Sequence, residues 1–146
     1  MQRFTMPIAV LAVASGLLLA GCSPAGPTSS GGDECDVVRV DVRDISNGAQ
    51  NAIATIADPE ELTAYLEGLS ERVGELEADV ENDDVAEALG ELDDRIQDGI
   101  AYAETLPTPD PESEEEPETD GDAIAEQQED LQAATVKITR VCAGDE

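Results

Sequence analysis

A chain of 146 residues with 35 Asp and Glu against 7 Lys and Arg carries a formal charge of −28 and contains no histidine. Such an anion lacks the basic patches that displace counterions from nucleic-acid phosphates, and anionic lipid surfaces repel it. With no Trp, one Phe and two Tyr, stacking platforms for bases or sugars are scarce, and without His the Ser-His-acid, Cys-His, haem and common zinc sets are missing.

The chain opens with a cation, Arg3, followed by an apolar segment from Met6 to Ala20. That segment is short of the roughly 20 residues needed to span a bilayer. A charged start, a short apolar middle and a small-residue exit predict a secretory signal over residues 1–21. The exit, Leu19-Ala20-Gly21-Cys22, resembles the lipobox of bacterial lipoproteins. That resemblance covers residues 1–22 and implies that the Cys22 thiol receives a diacylglyceryl group, that the chain is cut just before it, and that the new N-terminus is acylated. It also implies export and a lipid anchor on the outer face of the bacterial cytoplasmic membrane. One acyl chain holds only marginally, whereas two hold stably.

Residues 22–34 include the stretch SPAGPTSSGG, which has no apolar period and reads as a flexible tether. Coil scaling for about 12 residues gives a reach on the order of 20 Å.

A single helical domain is expected over 35–146. Cys35, Val38, Val42, Ile45, Ala49, Ala52 and Ile56 recur at alternating steps of three and four, a heptad seam that faces partner helices. The fragment VVRVDV also alternates with period two, so a short strand at Val37 to Val42 is the competing local reading. Asp58-Pro59-Glu60-Glu61 combines an N-cap, a first-position Pro and an early Glu, predicting a second helix. Its seam is Leu62, Leu66, Leu69, Val73, Leu76 and Val80. Asn82-Asp83-Asp84 starts a third, with Val85, Leu89, Leu92, Ile96, Ala103 and Leu106 on its stripe and Gly99 interrupting it. Gly68, Gly74, Gly90 and Gly99 either weaken these helices, by up to about 1 kcal/mol each against Ala, or mark close packing.

The segment 107–121, PTPDPESEEEPETDG, has four prolines and no aliphatic residue, and reads as an irregular solvated loop. A final helix is expected from Asp122 to about Cys142. Its stripe of Ile124, Leu131, Ile138 and Val141 is the weakest of the four, with Gln128 and Thr135 at seam positions. Acids early and Lys137 and Arg140 late suit its dipole.

Short turns make the first three helices antiparallel neighbours, and the whole reads as an all-α, up-down four-helix bundle. In that topology Cys35 and Cys142 meet at one end, and a disulfide between them suits an exported protein. Unpaired buried thiols or an intermolecular bond are the alternatives. A crossover through residues 107–121 would place Cys142 at the far end, too distant to bond. Pairing Cys35 with Cys142 leaves Cys22 over, which agrees with its lipidation.

Acidic pairs are everywhere, so pairing alone does not point to catalysis. Residues Glu116 to Asp122 loosely echo a calcium loop, but Glu116 stands where the first Asp belongs, Pro117 follows it and Gln127 replaces the closing Glu. No specific metal, cofactor or catalytic residue is therefore assigned, and the chain reads as a non-enzyme. Tyr65 and Tyr102 read as helix-flank packing, and Arg39 and Arg43 as surface ion-pairing residues. The expected function is an interaction module that presents an acidic helical surface to a cationic or membrane-bound protein, with weak Ca²⁺ or Mg²⁺ association as the alternative. Arg outnumbers Lys, and Ala, Asp, Glu, Gly and Val dominate, a composition that resembles small lipoproteins of high-GC bacteria such as actinobacteria.

Overall fold

In the computed structural model, residues 32–108 and 120–144 are described. They form four helices: α1 (Gly32–Thr55), α2 (Pro59–Asp79), α3 (Asp83–Ala103) and α4 (Gly121–Ala143). There is no strand among the described residues. Over Val37 to Val42 the helical period wins: Val38 and Val42 are buried, one turn apart, while Val37 and Val40 face outward.

The helix starts follow their capping chemistry. The Asp58 carboxylate accepts from the Glu61 N–H at 2.9 Å, with Pro59 opening α2. Asn82 accepts from the N–H groups of Asp84 and Val85 to start α3, and Asp120 accepts from those of Asp122 and Ala123 to start α4. Each cap satisfies donors that the first turn leaves without an intrahelical partner. Gly144 ends α4 in the left-handed conformation, φ 75°, which a glycine adopts without a Cβ clash.

α1 begins three residues ahead of Cys35, inside the stretch assigned by composition to the tether. A tertiary contact accounts for it. Glu34 Oε1 accepts from the N–H of Glu81 at 2.9 Å and that of Asn82 at 3.5 Å, fastening the first turn of α1 to the turn between α2 and α3.

Consecutive helices run antiparallel and pack as a ring. α2 lies most extensively on α3, then come α3 on α4, α4 on α1, and α1 on α2. Cross-links register the pairs. Ser70 Oγ donates to Asp93 at 2.6 Å and receives Gln97 Nε2 at 2.9 Å between α2 and α3. Gln128 Nε2 donates to the Gln50 carbonyl at 3.1 Å between α4 and α1. The predicted seams form one core, with Val38, Val42, Ile45, Leu62, Leu66, Val73, Val85, Leu89, Leu92, Ile96, Leu131 and Ile138 nearly inaccessible. Ile56, Leu76, Val80, Leu106, Ile124 and Val141 pack half-buried against its ends.

The first turn of α1 and the last of α4 meet, and Cys35 and Cys142 form a disulfide with Cα atoms 5.4 Å apart across 107 residues of sequence. The bundle is thus the disulfide-closed up-down form and not a crossover. In the chain-entropy account, closing a loop of that length stabilises the fold by about 4–5 kcal/mol.

The glycines divide. A Cβ at Gly68, Gly74 or Gly90 would meet nothing within 4 Å, whereas one at Gly99 would lie 3.3 Å from both Ile53 Cδ1 and Leu66 Cδ1. Gly48, outside the four singled out above, lies under Tyr65, whose hydroxyl would sit 2.9 Å from an added Cβ. Chemical denaturation should therefore show Gly68→Ala and Gly74→Ala each stabilising by about 0.5–1 kcal/mol. Gly99→Ala should forfeit that gain, because its two neighbours are buried side chains with little room to move.

Candidate functional site

An even number of antiparallel helices gives the bundle two unlike ends. The first turn of α1, the turn between α2 and α3, and the end of α4 gather with the disulfide at one of them, called proximal below. The α1–α2 turn at residues 56–58, the end of α3 and the start of α4 form the other, distal end. Cys22 and the segment up to residue 31 lie outside the described residues, as do residues 109–119 of the acidic segment. Both flanks of that segment, Thr108 and Asp120, are rooted at the distal end.

At the proximal end Cys35 is buried and Cys142 half-buried. The Arg39 guanidinium spans the joint. Its Nη2 donates to the Cys142 carbonyl at 3.0 Å, and Nη1 donates to Asp36 at 3.4 Å. Arg43 pairs with its neighbour Asp44 at 3.0 Å. Both arginines are therefore ion-paired, Arg39 at helical spacing and Arg43 with its chain neighbour, and Arg39 has a further role, closing an α4 carbonyl, that no local pattern announces.

Between α3 and α4 runs a groove of about 560 Å³ lined by Glu91, Asp94, Arg95, Asp130, Ala133, Ala134 and Lys137. Lys137 Nζ bonds to Glu91 across it. The hydrogen bond to Glu91 is the main cause that raises Lys137 above the ordinary lysine value. Arg95 pairs with Asp98 at 2.7 Å. A smaller groove between α1 and α2 is lined by Asp41, Ile45, Arg72, Glu75, Leu76 and Asp79. Neither brings a nucleophile to a base. Among the described residues, the one serine hydroxyl tied to a carboxylate, Ser70 with Asp93, has Gln97 as its other partner and so acts as a cross-link between helices. Among the described residues no group of three or more metal-ligating side chains converges, and no helix is long and apolar enough to cross a membrane.

Tyr65 lies over Gly48 on the outside of the bundle. Tyr102 packs against the core near the distal end, and among the described residues its buried hydroxyl has no hydrogen-bond partner. Burial, and then the negative charge of Asp120, push its phenol above the usual tyrosine range.

No family model matches this chain, and neither a curated protein nor a solved structure does.

Removing a buried hydroxyl that has no partner relieves its desolvation cost. Tyr102→Phe should leave stability unchanged or raise it by up to about 1 kcal/mol. In a Tyr65→Phe background, where Tyr102 is the single tyrosine, ultraviolet titration should find its phenol ionising above the free-tyrosine value. Because the folded state then holds the proton more tightly, its stability should fall as pH rises past the unfolded-state value near 10.

Proposed function

We propose that this chain is an exported lipoprotein, held by acyl groups on Cys22 at the outer face of a bacterial cytoplasmic membrane. There it works as a non-catalytic acidic module that engages a cationic or membrane-bound protein. The observation that carries the reading is the Leu19-Ala20-Gly21-Cys22 sequence at the end of an apolar run. The cysteine arithmetic supports it, since Cys35 and Cys142 satisfy each other and leave Cys22 as the third thiol.

The fold is consistent with attachment from that side. α1 starts at Gly32, only ten residues after Cys22, and a Gly/Ser-rich coil of that length spans roughly 20 Å. The α1 helix of 24 residues is about 35 Å long at 1.5 Å per residue, so the distal end stands well clear of the attachment point. The acidic segment 107–121 is rooted there.

Electrostatics favours a partner of opposite sign. Residues 47–71 and 96–136 contain no Lys or Arg at all, so the distal half offers no internal neutralisation except around Arg95 near the middle. Weak association with Ca²⁺ or Mg²⁺ is the second reading, favoured by the same excess of carboxylates.

Mass spectrometry of the mature N-terminus should find Cys22 modified by a diacylglyceryl group, and Cys22→Ala should move the protein from the membrane fraction to the soluble one. An unmodified Cys22 thiol at a mature or uncut terminus would end the anchor reading. To separate the partner from the cation, melting is compared in millimolar CaCl₂ and in NaCl of matched ionic strength. Equal shifts are expected for a partner module, whereas a markedly larger calcium shift would move the function to cation association.

A further inference from the structure

We propose that the Cys35–Cys142 disulfide is a redox latch on α4: a dithiol reductant opens it and lets α4 leave the bundle while the α2–α3 pair stays folded.

α4 buries the fewest side chains of the four helices. It buries only Leu131, Ala134 and Ile138, against seven positions on α3. Its seam is interrupted by Gln128 and Thr135, which are occupied with backbone carbonyls of Gln50 and Leu131. Along its border with α3 runs the groove lined by Glu91, Asp94, Arg95, Asp130 and Lys137 beside Ala133 and Ala134. α2 and α3, by contrast, share the most extensive interface and the Ser70–Asp93–Gln97 cross-link. They are joined by a three-residue turn, whereas α3 and α4 are joined by the long segment between Ala103 and Gly121. With the disulfide intact, a detached α4 would still be fixed at both ends, so it gains little freedom by leaving. Cutting the bond restores that freedom at the C-terminal end.

The joint is also placed for reduction. Cys142 is half-buried and Cys35 buried, so the approach is to the Cys142 sulfur. A thiolate of the reductant attacks Cys142 Sγ, forming a mixed disulfide and breaking the bond to Cys35, whose sulfur leaves with the electron pair. The reductant's second thiol then displaces Cys142 and closes its own disulfide. Two protein thiols and one oxidised reductant result, with two electrons and two protons transferred. The leaving Cys35 lies at the start of α1, where a helix N-terminus favours a thiolate. The Arg39 guanidinium, one turn on and hydrogen-bonded to the Cys142 carbonyl, adds positive charge there. Among the described residues there, Glu34 is engaged with the N–H groups of Glu81 and Asn82, and Asp36 pairs with Arg39.

The test is hydrogen exchange read helix by helix on the protein beginning at Cys22, with and without dithiothreitol, and on Cys35→Ala/Cys142→Ala without it. Exchange across α4 should accelerate about a hundredfold more than exchange across α2 and α3 in both reduced forms. Arg39→Gln should slow the reduction itself under the same dithiothreitol. Uniform acceleration over all four helices would make the disulfide a global staple and overturn the latch, as would an α4 that exchanges no faster once reduced. The readout does not depend on what Cys22 carries.

Discussion

Carboxylate repulsion is the constraint to which the rest of this molecule answers. With 35 acids against 7 bases, folding brings like charges together, and the compact state loses stability through self-repulsion. The chain meets this with continuous apolar seams and with careful siting of acids. Asp58 and Asp120 cap helices, and Glu60, Glu61, Asp83, Asp84 and Asp122 occupy first turns, where the positive end of the dipole favours them. Two of the scarce cations clasp one helix to another. Arg39 reaches the end of α4, Lys137 spans α3 and α4, and Arg95 holds Asp98. Exposed pairs of this kind contribute little individually, so the burden falls on the core and on the disulfide.

The architecture was legible in the sequence because the seams have helical spacing and the caps are local. Asp58-Pro59 and Asn82 act through neighbours two or three residues away, which a linear reading captures, whereas the Asp120 cap falls in the stretch read as loop. What else escaped it is tertiary. The start of α1 is set by Glu34 reaching residues 81 and 82, and composition alone placed Gly32 in the tether. Gly48 and Gly99 serve close packing while Gly68, Gly74 and Gly90 do not, a distinction that depends on what the neighbouring helix presents. Ser46 is a buried polar residue off the apolar stripe, and it is satisfied by Gln50 one turn later.

The functional reading is less legible for a physical reason. Here the chemistry on the surface is nearly uniform, and a uniform field of carboxylates does not single out one residue over another. Specific chemistry in the sequence is confined to sulfur. The three cysteines differ sharply in setting, with Cys22 at the end of an apolar run and Cys35 and Cys142 on opposite helix termini.

Helix number ties these sulfur positions together. With four antiparallel helices, the start of the first and the end of the last share one end, so a single disulfide can close the bundle; with three, the same cysteines would sit a helix length apart. The same parity puts the entry of the N-terminal segment beside the disulfide and the roots of the acidic segment at the opposite end. Attachment through Cys22 and redox control of α4 would therefore share the proximal end, and display of carboxylates would act at the distal one. Opening the disulfide would change the packing of α4 without moving the first turn of α1, which Glu34 holds to the α2–α3 turn independently of sulfur.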